Sequence, residues 1–109
     1  MAVVTLGVAC GSDKPTAPSS EIADVYTTGS NFSPTSTTIG VGGTVRWNIS
    51  LDANGEGHDV TFTTAGAPAN IPVVANPMVT VVSRVFPVKG TFEYECRVHP
   101  GMNGEVIVH

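Results

Sequence analysis

From Gly43 to Ser50 apolar and polar residues take strict turns, with Val45, Trp47 and Ile49 on one side and Thr44, Arg46 and Asn48 on the other. Successive side chains of a strand point to opposite faces, so this pattern specifies a half-buried strand and excludes a surface helix. The alternation recurs from His58 to Thr63, where His58, Val60 and Phe62 share a face opposite Asp59, Thr61 and Thr63. It recurs again from Thr91 to Arg97, where Phe92, Tyr94 and Cys96 oppose Thr91, Glu93, Glu95 and Arg97. Weaker strand signals cover Ile22 to Thr28, Ser36 to Val41, Val79 to Phe86 and Glu105 to His109. Turn residues separate them at Gly29-Ser30-Asn31, Gly42-Gly43, Asn54-Gly55, Pro87 to Gly90 and Pro100-Gly101. No stretch of useful length has helical spacing. The expected fold is therefore all-β, a Greek-key two-sheet antiparallel sandwich of about seven to eight strands. Residues 64–78, rich in Ala, Pro and Asn, read as a long loop that covers an edge or carries a short helix.

The alternating pattern is confined to part of the chain. Residues 1–10 read as the remnant of a signal segment: small apolar residues run up to Cys10, as at the end of a bacterial lipoprotein signal whose cysteine is acylated after cleavage. Gly7 stands where that signal usually has Leu, and the absent basic start is expected to lie upstream of Met1. The alternative is a frayed terminus with an adventitious thiol. Residues 11–20 hold two prolines and no large apolar side chain, which makes them a tether, and residues 21–109 form the folded domain. A disulfide between Cys10 and Cys96 is disfavoured, since Cys10 closes the apolar opening and Cys96 ends a strand. This reading places the domain in the periplasm or cell envelope, tethered to a membrane by lipid on Cys10.

Nine acidic against five basic side chains give a formal net charge of −4, with no basic run to track phosphates. Nucleic acid is excluded as an expected partner, and a positively charged protein is favoured by electrostatic steering. A monomer is expected.

Chemistry concentrates in Tyr94-Glu95-Cys96-Arg97-Val98-His99-Pro100-Gly101-Met102-Asn103-Gly104, which puts three soft or borderline ligands at i, i+3 and i+6 of one tight loop. Two imidazoles and a thiolate with a weak axial thioether are the blue-copper donor set. The second imidazole must come from elsewhere, and His58, aligned with core residues, is the candidate. Singly, each residue has a plainer reading: Cys96 and Met102 as packing, His58 as a hydrogen-bonded core histidine, His99 as a turn residue. Their coincidence at one spacing favours a metal site of His58, Cys96, His99 and Met102. His109 is read as a solvated terminal residue.

Gly57-His58-Asp59-Val60 followed by Cys96-x2-His99-x2-Met102 resembles the cupredoxin family of type 1 blue-copper proteins, plastocyanin- and amicyanin-like. Asn31 to Pro34, Val41 to Trp47, Gly90 to Tyr94 and His99 to Val106 are similar to that family's segments in order, and the short Cys-to-Met spacing is similar to amicyanin-like members. The resemblance implies a Greek-key sandwich, one type 1 copper and electron transfer through the His99 edge; no enzymatic activity is expected, because the sequence holds no second histidine cluster. Expected partners are redox proteins such as c-type cytochromes or copper and haem oxidoreductases. Pro100, Gly101 and Met102 are expected to make that exit apolar. Relatives often carry Asn after the first ligand histidine, where this chain has Asp59. Rival readings are a copper-delivery protein without electron transfer, an enzyme like the copper nitrite reductases, which resemble two such domains, and a metal-free adhesive sandwich.

Overall fold

The structure, a computed structural model, describes residues 20–109, so the expectations for residues 1–10, for Cys10 and for nearly all of the 11–20 tether lie outside the described residues. Among the described residues there are nine strands and no helix. They are β1 (Ile22–Thr28), β2 (Asn31–Ser33), β3 (Ser36–Ile39), β4 (Gly43–Ile49), β5 (His58–Phe62), β6 (Ile71–Val74), β7 (Thr80–Phe86), β8 (Gly90–Glu95) and β9 (Asn103–Val108). One sheet has the order β3-β9-β8-β5-β6 and the other β2-β1-β4-β7.

The sandwich is as the alternation implies, with two differences. Each sheet contains one parallel pairing, β3 with β9 and β1 with β4, because the chain crosses between sheets there instead of turning back on itself. Two short strands differ from the sequence reading: β2 starts at Asn31, the last residue of the Gly29-Ser30-Asn31 turn, and β6 lies within the 64–78 segment read as a loop or helix. Both are sheet edges, where a strand pairs on one side only and needs little alternation of its own.

Trp47 of β4 locks the two sheets together. Its ring meets Tyr94 of β8 edge-on at 5.4 Å and 87°, and Phe62 of β5 at 5.9 Å and 79°. Burying each such ring contributes about 1.5–3 kcal/mol, and the edge-to-face geometry adds to it. Gly104 of β9, opposite Tyr94, lies under that ring, where a Cβ would overlap it. Glycine there lets the aromatic layer pass directly beneath the start of β9. At this end of the sandwich β8 finishes, the loop 96–102 turns over, and β5 begins.

Candidate metal centre

His58 opens β5 opposite Val74 of β6. A Cβ on Gly57 would run into the Val74 carbonyl, so glycine lets the chain enter the strand close against its neighbour. The His58 side chain is 0% exposed. Burial, helped by the nearby His99, lowers its pKa below the ordinary imidazole value, which keeps a neutral ring with a free lone pair.

Cys96 lies one residue past the end of β8, not in the strand as the alternation suggested, but its side chain is buried on the expected side. Two backbone hydrogen bonds close the loop. The Cys96 N–H donates to the Met102 carbonyl at 2.8 Å, and the Met102 N–H donates to the His99 carbonyl at 3.1 Å. Gly101 takes φ 87°, a left-handed conformation that glycine adopts without strain, and so completes the turn. The loop thereby draws the three spaced residues to one end of the sandwich.

Three donors converge. Cys96 Sγ is 3.9 Å from His58 Nδ1 and 3.7 Å from His99 Nδ1, and the three donor atoms all lie within 4.8 Å of one another. The imidazole rings are 4.7 Å apart at 34°. Donors held about 2.0–2.3 Å from one ion in a trigonal plane stand about 3.5–4 Å apart, so the spacing fits a single bound metal. Met102 is buried in the loop that carries Cys96 and His99. Burial pushes the Cys96 thiol up, against the Asp59, His99 and Val98 backbone N–H groups that favour the thiolate. Metal binding must therefore displace a proton from sulfur.

Asp59 was placed on the outward face by alternation, yet it is buried. The β5–β6 register shifts between His58 and Val60, and Asp59 turns toward the ligand loop. Its Oδ1 accepts the Arg97 N–H at 2.7 Å and its Oδ2 accepts the Thr61 hydroxyl at 2.7 Å. Burial pushes its carboxyl up, but the Thr61 and Arg97 hydrogen bonds outweigh it, and the pKa falls below the ordinary value. Asp59 thus ties the strand bearing His58 to the loop bearing Cys96, with Thr61 supplying the donor for its second oxygen.

Sequence reasoning missed a further carboxylate. His99 Nε2 lies 2.6 Å from Asp52 Oδ2 and 3.3 Å from Glu56 Oε1. The Asp52 side chain is only 5% exposed and that of His99 11%. The expected apolar exit at His99 is therefore corrected: Met102 is buried, and the outer edge of the imidazole faces two carboxylates. Asp52-Ala53-Asn54-Gly55 is legible as a side-chain-capped turn, but a partner 47 residues away is not.

Residues 22–109 match the family of copper binding proteins described as plastocyanin/azurin. The chain belongs to that family. Copper is accordingly its metal, as the donor set implies. Among solved structures, the family member resembles an oxidised proline-to-alanine variant of amicyanin, with 26% identity, a TM-score of 0.66, and coverage of 89% of this chain and 100% of that one. A reduced Cu(I) proline-to-glycine variant of amicyanin gives 26% identity and a TM-score of 0.63 over 86% of each chain. A copper-containing nitrite reductase from Thermus scotoductus SA-01 shares the fold, at 22% identity and a TM-score of 0.65, over 91% of this chain but 24% of that one. Comparison with curated proteins found no match.

Proposed function

We propose that this protein carries single electrons between redox partners through a type 1 copper held by His58, Cys96, His99 and Met102. The observation that carries this reading is the convergence of both Nδ1 atoms on Cys96 Sγ in a buried pocket. When bound, copper supplies the one-electron couple. The chain supplies constancy of geometry: His58 is fixed by its strand, Cys96 and His99 by the closed loop, and Asp59 joins the two. Small movement between oxidation states keeps transfer fast. A buried, already assembled site favours retention of the metal over handing it on, which sets the carrier above a delivery protein. The only other histidine, His109, is exposed at the chain's last position, so no second histidine cluster for a substrate-binding copper exists among the described residues.

Electrons leave at His99, the most exposed of the converging residues. Glu56, 57% exposed beside Nε2, gives this edge negative charge and favours a redox partner with a basic docking face. The domain acts in the periplasm or cell envelope, held near its partners by lipid on Cys10. Voltammetry of the copper-loaded protein tests the carrier reading. A reversible one-electron wave, with fast self-exchange, is expected. Copper that is bound but cannot be reduced and reoxidised without loss would support delivery instead.

A further inference from the structure

Asp52 makes more contacts than a surface turn requires. Its Oδ1 accepts the backbone N–H groups of Asn54 and Glu56, both at 2.8 Å, and its own N–H donates to the Glu56 carbonyl at 2.9 Å. The Asp52 carbonyl accepts the Gly55 N–H at 3.0 Å, with Gly55 at φ 78°. These bonds fix the carboxylate plane. Its second oxygen, Oδ2, is left aimed at His99 Nε2 at 2.6 Å. Two backbone N–H groups donating to one oxygen favour the charged form of the carboxyl, which leaves Oδ2 as an acceptor.

An ionised carboxylate can only accept. The short contact therefore demands a proton on Nε2, and a neutral imidazole with Nε2–H has its lone pair on Nδ1. Nδ1 is the atom 3.7 Å from Cys96 Sγ. The other groups facing this ring are neutral or equally accepting: His58 is stacked at 4.7 Å, Cys96 lies on the Nδ1 side, and Glu56 is the second carboxylate at Nε2.

We infer that Asp52 is a positioning residue for the metal centre, setting the tautomer and ring orientation of His99 so that the copper-facing nitrogen is already a free donor before the metal arrives. The carboxylate also makes the imidazole a stronger donor, which favours Cu(II) over Cu(I). For the copper-loaded readouts this inference rests on the reading of His99 as a ligand; for the tautomer it does not.

The isosteric variant Asp52→Asn separates positioning from turn building. The carboxamide oxygen can keep both backbone N–H bonds, which leaves the NH2 group where Oδ2 was, now donating toward Nε2. His99 should then carry its proton on Nδ1. Nitrogen-15 NMR of the copper-free full chain, recorded across a pH series, reports the tautomer of the neutral ring directly. The wild type should show Nε2–H and Asp52→Asn should show Nδ1–H, with unchanged far-ultraviolet dichroism. Copper affinity of the variant should fall about 10–100-fold, and its reduction potential should shift upward. The same tautomer in both proteins, or Nδ1–H in the wild type, would overturn the inference. A tautomer switch in a chain that binds no copper would leave it standing and remove the proposed function.

Discussion

His58 and His99 turn the same ring nitrogen toward Cys96, yet the molecule holds them by opposite means. His58 begins a strand, is wholly buried, and its Nε2 has no hydrogen-bond partner among the described residues. Packing and the tight approach of Gly57 to β6 fix it. His99 sits on a loop, partly open to solvent, and its Nε2 is gripped by Asp52. A ligand carried by a sheet needs no polar anchor because neighbouring strands leave its ring no room to turn. One carried by a loop does, and here the anchor is a carboxylate from another segment. Asp59 then bridges the two regimes, joining the strand to the loop through the Arg97 N–H.

The largest effect should strike both sides at once. Cys96→Ser is expected to abolish the intense thiolate-to-copper absorption while dichroism remains native. A strongly blue mutant would show that the thiolate is not the shared centre of the two halves. Next, the two histidines should differ in the copper-free protein. His58→Ala opens a cavity in a packed wall and should cost on the order of 2 kcal/mol in a urea titration, whereas His99→Ala should cost clearly less. Equal losses would erase the distinction between packed and anchored ligands.

Gly57→Ala probes the packed side without touching a donor. The new Cβ meets the Val74 carbonyl, so β5 and β6 must separate, at a cost of about 1–3 kcal/mol. Thermal unfolding measures it, and copper affinity should fall with it. For the bridge, Asp59→Asn keeps an oxygen for the Arg97 N–H and an amide that the Thr61 hydroxyl can accept from. Little stability should be lost, while the reduction potential rises because a buried negative charge near copper is gone. An unmoved potential would reduce Asp59 to a structural tie.

The smallest effect lies on the sheet face remote from either histidine. Arg46 donates to both Asp24 oxygens at 2.8 Å, and Asn48 adds a third bond, so the Asp24 pKa is lowered, chiefly by Arg46. A depressed carboxylate stabilises the fold fully above its unfolded value of about 3.9. That contribution is lost as pH falls from there through the lower folded value. Asp24→Asn should therefore narrow the gap to wild type in acid unfolding below about pH 4 and leave the copper spectrum alone. A changed spectrum would mean that the two faces are coupled.

Much of this is legible in the sequence. Alternation in Gly43 to Ser50 and in Thr91 to Arg97 identified the faces that meet at Trp47 and Tyr94, and the i, i+3, i+6 spacing singled out Cys96, His99 and Met102. His58 emerged because a polar residue stood in an inward register. What stayed hidden depends on distance in sequence. Asp52 and His99 lie 47 residues apart, and a carboxylate before Asn-Gly reads only as a turn. Asp59 was misplaced because the register shift in β5 and β6 leaves no mark in the alternation. β6 escaped notice because an edge strand needs little pattern of its own, and Pro72 within it reads as a breaker.

In the proposed function, His58, Cys96, His99 and Met102 hold one copper in a preassembled type 1 site. Stoichiometric Cu(II) should be added to the purified full chain while the visible and electron paramagnetic resonance spectra are recorded. Saturation at one copper per chain, an intense thiolate-to-copper band, and the narrow copper hyperfine splitting of a thiolate-bound type 1 centre are expected. A colourless complex, a wide splitting typical of nitrogen and oxygen donors alone, or no binding at all would contradict it.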